Sequence, residues 1–154
     1  MERSTASVEE TRDLAASLAP LTVAGDVVVL LGDLGAGKTA FVQGLAAALG
    51  SPDPVTSPTF TIAQRYDGGR LTIHHLDAYR LGGPDEAMDL ALDELFDDHA
   101  VTVIEWGDRL RGLLPVDRLE IAIAFGAGDD DRELALEAGG PGWAARLRDL
   151  EATC

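Results

Sequence analysis

Lysine is almost absent from this chain of 154 residues, and positive charge in general is scarce. Lys38 is the only lysine, the other eleven basic residues are arginines, and 27 acidic residues bring the formal net charge to −15. Affinity for nucleic acid phosphates and for anionic membranes depends on cationic side chains. The composition therefore argues against direct, unassisted binding to either, although it allows a local positive site.

Cysteine and long apolar segments are also scarce. Cys154, the single cysteine, is the last residue of the sequence, so no intrachain disulfide can form, which fits a reducing compartment. Apolar runs such as Val27–Leu31 fall far short of the roughly 20 residues that a bilayer span needs. The first residues, Met1–Ser4, contain no apolar signal region. We therefore expect a cytoplasmic protein, and the length predicts a single domain over residues 1–154.

Apolar patterning alternates between strands and helices along the chain. The unbroken run Val27–Leu31 is typical of a strand buried on both faces, and the apolar spacing from Lys38 to Leu49 is helical. The other expected elements are a helix capped by Ser7 and stopped by Pro20, a hairpin of Thr59–Tyr66 and Leu71–Asp77, an acidic helix from about Gly82 to Asp98, a strand at Val101–Trp106, a hairpin of Leu119–Phe125 and Glu133–Glu137, and a closing helix at Trp143–Leu150. This interleaving predicts an α/β fold, in which helices flank a central, mostly parallel sheet with an antiparallel edge hairpin.

A glycine-rich loop lies between the predicted buried strand and the helix that follows it. Residues Gly32-Asp33-Leu34-Gly35-Ala36-Gly37-Lys38-Thr39 match the pattern G-x-x-x-x-G-K-[ST] in full. Glycines let consecutive backbone N–H groups curl around a phosphate, and the start of the helix adds the positive end of its dipole. Lys38 would reach the β- and γ-phosphates, and the Thr39 hydroxyl would bind Mg²⁺. The motif and its context predict a P-loop NTPase.

Two carboxylates at predicted strand ends are candidates for the rest of the site. A P-loop NTPase needs an acid at the end of a neighbouring strand to hold Mg²⁺, and Glu105 ends an apolar strand where Asp is more usual. Asp77 ends another strand, at the sheet edge where α/β proteins bind ligands, and is placed to orient water or a metal-bound water. His74 and His75 point to opposite faces of that strand, which disfavours a zinc site.

Four segments, in this order, resemble the TsaE (YjeE) family, small bacterial P-loop ATPases needed for threonylcarbamoyladenosine modification of tRNA. The segments are the loop Gly32–Thr39, Val55–Phe60 (VTSPTF), His75–Arg80 (HLDAYR) and Ile104–Trp106 (IEW). The loop alone is common to many NTPases, whereas the other three together are far more specific. The resemblance runs from about Thr11 to Arg132. Departures from the family pattern, such as Ala40 and Ala78, remove no predicted ligand.

The resemblance implies a ligand set and partners that the spacing alone does not. It implies that Asp33–Lys38 bind the phosphates of ATP and that Thr39 and Glu105 bind Mg²⁺. Lys38, Asp77 and Glu105 would be catalytic. Ser57–Thr59 would form a switch-like segment near the γ-phosphate, and Thr11 and Arg132 would approach the adenine end. It also implies an accessory ATPase that binds the TsaD–TsaB complex and leaves tRNA contact to these partners. We expect slow intrinsic hydrolysis, because no arginine finger is identifiable among the candidates Arg65, Arg80 and Arg109.

Two other functions remain open from the residues themselves. One is a small-molecule kinase that uses the same loop, although the chain is short for a lid and a substrate pocket and its arginines are scattered. The other is a nucleotide-gated interaction module in which hydrolysis is incidental. We expect Lys38→Ala to abolish productive ATP binding and to leave the fold largely intact, because it removes a phosphate contact and no core packing.

Overall fold

One mixed sheet forms the frame of the computed structural model, which describes residues 1–56, 63–78, 99–106, 110 and 112–153. Within these residues the strands are β1 (Glu2–Thr5), β2 (Val27–Leu31), β3 (Ala63–Tyr66), β4 (Thr72–Asp77), β5 (Ala100–Glu105), β6 (Leu119–Phe125) and β7 (Arg132–Ala138). The helices are α1 (Val8–Leu18), α2 (Lys38–Ala48) and α3 (Pro141–Thr153), with a short 3₁₀ helix at Ala19–Leu21. The predicted acidic helix at residues 82–98, the Ser57–Thr59 segment and Cys154 lie outside the described residues.

The sheet has a parallel centre and antiparallel ends. Its strand order is β1-β7-β6-β2-β5-β4-β3, and the four central strands β6, β2, β5 and β4 pair in parallel. β2 is buried on both faces because it lies between two strands and between two apolar layers, as its unbroken run of aliphatic residues predicts. The predicted α/β fold, with a central sheet flanked by helices, is confirmed.

Hairpins build both ends of the sheet. β3 and β4 pair antiparallel with Tyr66 opposite Ile73, and Gly68 adopts a left-handed φ of +89° in the turn that connects them. β6 and β7 pair antiparallel with Leu119 opposite Ala138. Both hairpins match the sequence pattern, because alternating apolar residues face the core and short polar turns connect the strands.

The outermost strand β1 was not predicted from the sequence. It pairs antiparallel with β7, and Thr5 lies opposite Arg132. The amino group of Met1 donates to the carbonyl of Leu136 at 3.0 Å, and the Ser4 hydroxyl donates to a Glu133 carboxylate oxygen at 2.5 Å. A four-residue polar strand has no periodicity to reveal it, so its position depends on the open edge that β7 offers.

The helix ends follow local sequence signals. Ser7 Oγ accepts a hydrogen bond from the Glu10 N–H at 3.1 Å, and the Glu10 carboxylate accepts one from the Ala6 N–H at 2.7 Å. The predicted capping box is therefore present, except that Glu10 bonds the N–H of Ala6 and not that of the N-cap Ser7. The α-helical part of α1 ends at Leu18, and Pro20 lies in the 3₁₀ turn that follows.

The helices α1, α2 and α3 cover one face of the sheet. α1 and α2 pack closely at Gly44, where an added Cβ would lie 2.6 Å from Arg12 Cα. This face contains the larger apolar cluster, including Phe41, Leu45 and Trp143, and the opposite face has a smaller cluster in which Leu76 and Ile104 pack with Leu110 and Leu114. Among the described residues, no helix combines the length and the apolar character needed to cross a bilayer.

Candidate functional site

The carboxyl ends of three parallel strands meet beside the glycine-rich loop. In the sheet register Leu30 of β2 lies opposite Glu105 of β5, and Glu105 lies opposite Asp77 of β4. The Trp106 N–H donates to the Leu30 carbonyl at 2.9 Å, which ties the end of β5 to the end of β2. Both carboxylates are buried. Because Gly32 follows β2 directly, the two acids and the start of the loop lie at one edge of the sheet.

The loop between β2 and α2 depends on glycine at two positions for different reasons. Gly37 has a φ of +111° and forms the N-cap of α2, a backbone conformation that L side chains rarely adopt. At Gly32 an added Cβ would lie 2.5 Å from the Ile123 carbonyl oxygen, so the loop passes too close to β6 to allow a side chain. The Ala36 N–H donates to the Asp33 carbonyl at 3.0 Å, whereas the Leu34 side chain is exposed at the loop tip.

Lys38 is folded back against its own loop. Its Nζ donates to the carbonyls of Gly32 at 2.7 Å and of Asp33 at 2.9 Å, and it lies 4.2 Å from the ring centroid of Trp106. The side chain is only 5% exposed. The ammonium group is therefore enclosed by its own loop and the Trp106 ring, a contact that the sequence did not predict. Trp106 has a left-handed φ of +60° and contacts the site lysine.

The electrostatics of Lys38 balance burial against three acids. Burial lowers the pKa of the Lys38 ammonium from its ordinary value of 10.5, since a cation loses hydration inside the protein. The negative charges of Glu105, Asp77 and Asp33 act in the opposite direction and hold the pKa up. The pKa of Lys38 remains lowered overall, so the attraction of the three carboxylates offsets only part of the cost of burying the ammonium group.

Thr11 and Arg132, the residues implied for the adenine end, lie at one corner of the sheet. The buried Thr11 hydroxyl is 2.8 Å from the hydroxyl of Thr5, and Thr5 lies opposite Arg132 in the β1–β7 pairing. Arg132 Nε donates to the Ala36 carbonyl at 2.8 Å, and its guanidinium lies 4.8 Å from the Phe125 ring centroid. The unpredicted strand β1 thus links Thr11 to Arg132, and Arg132 itself contacts the loop.

Two further residues, His75 and Tyr66, complete the surroundings of Glu105 and were missed as site residues from the sequence. His75 Nε2 lies 2.6 Å from Glu105 Oε2, and His75 Nδ1 lies 3.0 Å from the Tyr66 hydroxyl. His75 is fully buried, whereas His74 on the same strand is half-buried. A signal was available, because alternation along β4 puts His75 on the same face as Asp77.

The other predicted site residues are distributed as follows. Thr39 is half-buried in the first turn of α2, next to Lys38. Arg65 pairs with Asp67 at 2.9 Å on the surface. Thr59, Arg80 and Arg109 lie outside the described residues. Within residues 1–56, 63–78, 99–106, 110 and 112–153, no group of three or more His, Cys, Asp or Glu side chains forms a metal site.

Comparisons with known proteins agree with this geometry. The family model for threonylcarbamoyl adenosine biosynthesis protein TsaE matches residues 5–134. The chain is similar to tRNA threonylcarbamoyladenosine biosynthesis protein TsaE of Bacillus subtilis, with 46% identity over 136 residues that cover 88% of this chain and 84% of the relative. It is also similar to the protein of the same name from Streptomyces coelicolor, with 47% identity over 128 residues that cover 80% of this chain and 84% of the relative.

A solved structure shows the same fold over nearly the whole chain. The crystal structure of Bacillus subtilis YdiB superimposes with a TM-score of 0.81 and 37% identity, covering 99% of this chain and 95% of that one. A matching family model over most of the chain, relatives of high identity and a shared fold point to the same conclusion as the strand–loop–helix motif. This chain is a member of the TsaE family.

Proposed function

We propose that this chain is a Mg²⁺-dependent ATPase that assists the TsaD–TsaB complex in threonylcarbamoyladenosine modification of tRNA. The observation that carries the proposal is the row Leu30, Glu105 and Asp77 across three parallel strands, beside the loop that contains Lys38. This is the arrangement that positions a phosphate chain against a metal-binding acid in P-loop NTPases. The names of the relatives supply the pathway, tRNA threonylcarbamoyladenosine biosynthesis.

Phosphate binding in this proposal uses the backbone of Asp33–Gly37 together with Lys38. The N–H groups of the loop and of the first turn of α2 donate to phosphate oxygens, and the helix dipole favours their negative charge. In the structure Lys38 donates to the carbonyls of Gly32 and Asp33. Because these are hydrogen bonds to neutral acceptors, a phosphate oxygen with full negative charge is a better partner for the ammonium group. Lys38 would therefore exchange its loop carbonyl contacts for a phosphate oxygen of bound ATP.

The residues present fit a magnesium ion. Mg²⁺ prefers a few hard oxygen ligands and keeps several waters, so the Thr39 hydroxyl and the Glu105 carboxylate suffice beside phosphate oxygens. Glu105 uses Oε2 to contact His75, which leaves Oε1 as the oxygen for the metal or for one of its waters. When bound, the ion would supply positive charge at the β- and γ-phosphate oxygens. Asp77, next to Glu105 in the sheet register, would orient the attacking water through its carboxylate.

The adenine end of ATP would lie toward the corner of Thr11 and Arg132. Arg132 supports this proposal because it holds the Ala36 carbonyl and presents a planar guanidinium beside Phe125. Thr59, with its neighbours, would contact the γ-phosphate side. The assignments of Thr11 and Arg132 are independent of the hydrolytic step, since they concern affinity and base selection.

The acidic surface favours a role that relies on protein partners. With a net charge of −15, the chain would be repelled by bare tRNA, so the cationic contacts to the nucleic acid belong to TsaD and TsaB in this proposal. We infer that residues 1–154 act as a single domain in the cytoplasm, that ATP and Mg²⁺ change the face offered to the partners, and that hydrolysis resets it.

The proposal is tested with Glu105→Gln and Asp77→Asn, which remove a charge and keep the shape of the side chain. Nucleotide affinity, ATP hydrolysis with TsaD–TsaB, and multiple-turnover tRNA modification are measured for each variant and for the wild type. We expect both variants to bind nucleotide and partners while hydrolysis and repeated turnover fall by about 10²-fold or more. Unchanged modification by both variants would favour a nucleotide-gated module, and ADP release that needs a small-molecule acceptor but no TsaD–TsaB would favour a kinase.

A pull-down tests the partner assignment separately. The chain is offered to TsaD and TsaB with and without ATP and Mg²⁺, and Lys38→Met serves as the matched variant that lacks the phosphate contact. We expect nucleotide-sensitive association for the wild type and loss of that sensitivity for the variant. Association that is absent, or identical under all conditions, would contradict the proposed accessory role.

A further inference from the structure

We propose that His75 and Tyr66 are positioning residues that hold the Glu105 carboxylate in place for the metal. The inference rests on the proposed role of Glu105 as a Mg²⁺ ligand. It adds a row of hydrogen-bonded side chains that supports this ligand. The row runs from Glu105 through His75 and Tyr66 to the backbone of Thr56, and it connects β5, β4, β3 and the segment before residue 57.

The contacts that form this row are short and buried. His75 Nε2 lies 2.6 Å from Glu105 Oε2, and the side chains are 0% and 5% exposed. His75 Nδ1 is 3.0 Å from the Tyr66 hydroxyl, which lies 3.2 Å from the Thr56 carbonyl and 2.7 Å from Gln64 Oε1. His75 therefore has a partner at each ring nitrogen, and the Glu105 carboxylate at the end of β5 is the terminus of these contacts.

The chemistry of the groups determines the direction of these bonds. A carboxylate oxygen only accepts, so the N–H of His75 Nε2 donates to Glu105. In the neutral ring Nδ1 is then an acceptor, and the Tyr66 hydroxyl is the donor that faces it. Burial raises the pKa of the Tyr66 hydroxyl above its ordinary value, which outweighs the opposite effect of the hydrogen bond to Thr56, so the hydroxyl keeps its proton at neutral pH. The Tyr66 hydroxyl has one proton, so it donates to one of three acceptors at a time: His75 Nδ1, the Thr56 carbonyl or Gln64 Oε1.

A carboxylate that binds Mg²⁺ needs this kind of support. Glu has one more rotatable bond than the Asp that is usual at this position, so its oxygens are less restricted by the strand end alone. The His75 donor restricts the rotamer of Glu105 and occupies Oε2, which leaves Oε1 for the metal or one of its waters. Hydrogen bonds behind a metal ligand commonly contribute to metal affinity in this way.

The experiment compares nucleotide binding with Mg²⁺ and with EDTA, using a non-hydrolysable ATP analogue and calorimetry. The variants are His75→Leu, which removes both nitrogens, His75→Gln, which retains a donor near Nε2, and His75→Asn, which retains a polar group only near Nδ1. Tyr66→Phe removes the hydroxyl and keeps the ring. We expect His75→Leu and His75→Asn to lose about 10-fold or more of the Mg²⁺-dependent gain in affinity, with affinity in EDTA within about 2-fold of the wild type.

Rescue by the conservative variant separates positioning from packing. His75→Gln should recover most of the Mg²⁺-dependent gain, and Tyr66→Phe should lose a smaller part of it than His75→Leu. An unchanged Mg²⁺ effect in His75→Leu would overturn the inference, as would equal losses in Mg²⁺ and EDTA or equal behaviour of the Gln and Asn variants. If His75→Leu fails to fold, the Gln–Asn pair and Tyr66→Phe decide the question.

The wild-type protein supplies the control for the underlying assignment. A wild type whose affinity for the analogue does not depend on Mg²⁺ would overturn the metal role of Glu105, and the positioning role with it. A wild type with a clear Mg²⁺ effect that all His75 variants retain would overturn the positioning role alone. The two failures are therefore distinguishable within one set of titrations.

Discussion

Lys38→Met should separate nucleotide binding from stability, because the buried ammonium makes opposed contributions to the two. In the wild type two carbonyls accept hydrogen bonds from Lys38 at 2.7 and 2.9 Å, and Trp106 lies 4.2 Å away. Bonds from a charged donor contribute about 1.5–3 kcal/mol each, whereas burying an ammonium group costs several kcal/mol. The lowered pKa of Lys38 indicates that the cost of burial is larger than the attraction of the nearby acids.

The expected free energy of unfolding follows from that balance. Met has nearly the same length as Lys and packs on Trp106 without a charge, so we expect its stability without nucleotide to lie within about 1 kcal/mol of the wild type. Binding should respond differently, since an ammonium about 4 Å from a phosphate charge contributes about 4 kcal/mol at a site of intermediate polarity. Part of this is offset by the loop contacts that Lys38 gives up. We therefore expect an affinity loss of about 100- to 1000-fold.

The pH dependence gives a second check with a defined sign. The folded state lowers the pKa of Lys38 below 10.5, so between the two pKa values the unfolded state binds more protons. The stability cost of the cation is fully present below the folded pKa and disappears as pH rises toward 10.5. The wild type should therefore gain stability relative to Lys38→Met over that interval.

Urea unfolding at several pH values and calorimetry with ATP and Mg²⁺ measure these quantities. Lys38→Arg separates charge from shape, because it retains a cation whose planar fork suits the space less well, and its affinity should lie between the other two. The reasoning would be refuted if Lys38→Met were less stable by more than about 3 kcal/mol, or if its affinity fell by less than about tenfold.

Three further substitutions test how the loop and its surroundings are built. Gly32→Ala should destabilise the protein by about 1–3 kcal/mol, since the new Cβ would approach the Ile123 carbonyl oxygen to 2.5 Å. Gly112→Ala is the control, because its Cβ would meet no atom within 4 Å. Urea unfolding measures the stability of both variants. Arg132→Gln should weaken ATP binding by about 10-fold because the loop loses a charged donor, and equal affinity by calorimetry would contradict this. Ser7→Ala should lower the thermal midpoint through the loss of about 1 kcal/mol of N-cap stabilisation and leave nucleotide affinity unchanged.

Local sequence signals were sufficient for the elements that carry the loop. The aliphatic run Val27–Leu31, the glycines that follow and the helical spacing after Lys38 each have a period or composition that belongs to one structure. The strand ends at Asp77 and Glu105 were predictable for the same reason, and parallel pairing brings such ends to one edge of the sheet.

The contacts of buried polar side chains were not predictable in this way. In the sequence, His75 has no evident partner. Its contacts with Tyr66 and Glu105 form only because the sheet places β3, β4 and β5 side by side. The sequence also contains no sign that Lys38 folds back onto two carbonyls, since this depends on the path of the loop between β6 and Trp106. Strand β1 has four residues and no apolar period, and only the exposed edge of β7 selects its position.

The sequence by itself therefore determined the class of fold, the phosphate loop and the two acids, because periodicity, glycine content and strand-end carboxylates are properties of neighbouring residues. The tertiary structure alone decided what surrounds them: the buried histidine behind Glu105, the retracted Lys38, and the corner where Thr11 and Arg132 meet through β1. These arrangements depend on the register between strands distant in the chain. A shift of one residue in that register would turn each side chain to the opposite face of the sheet.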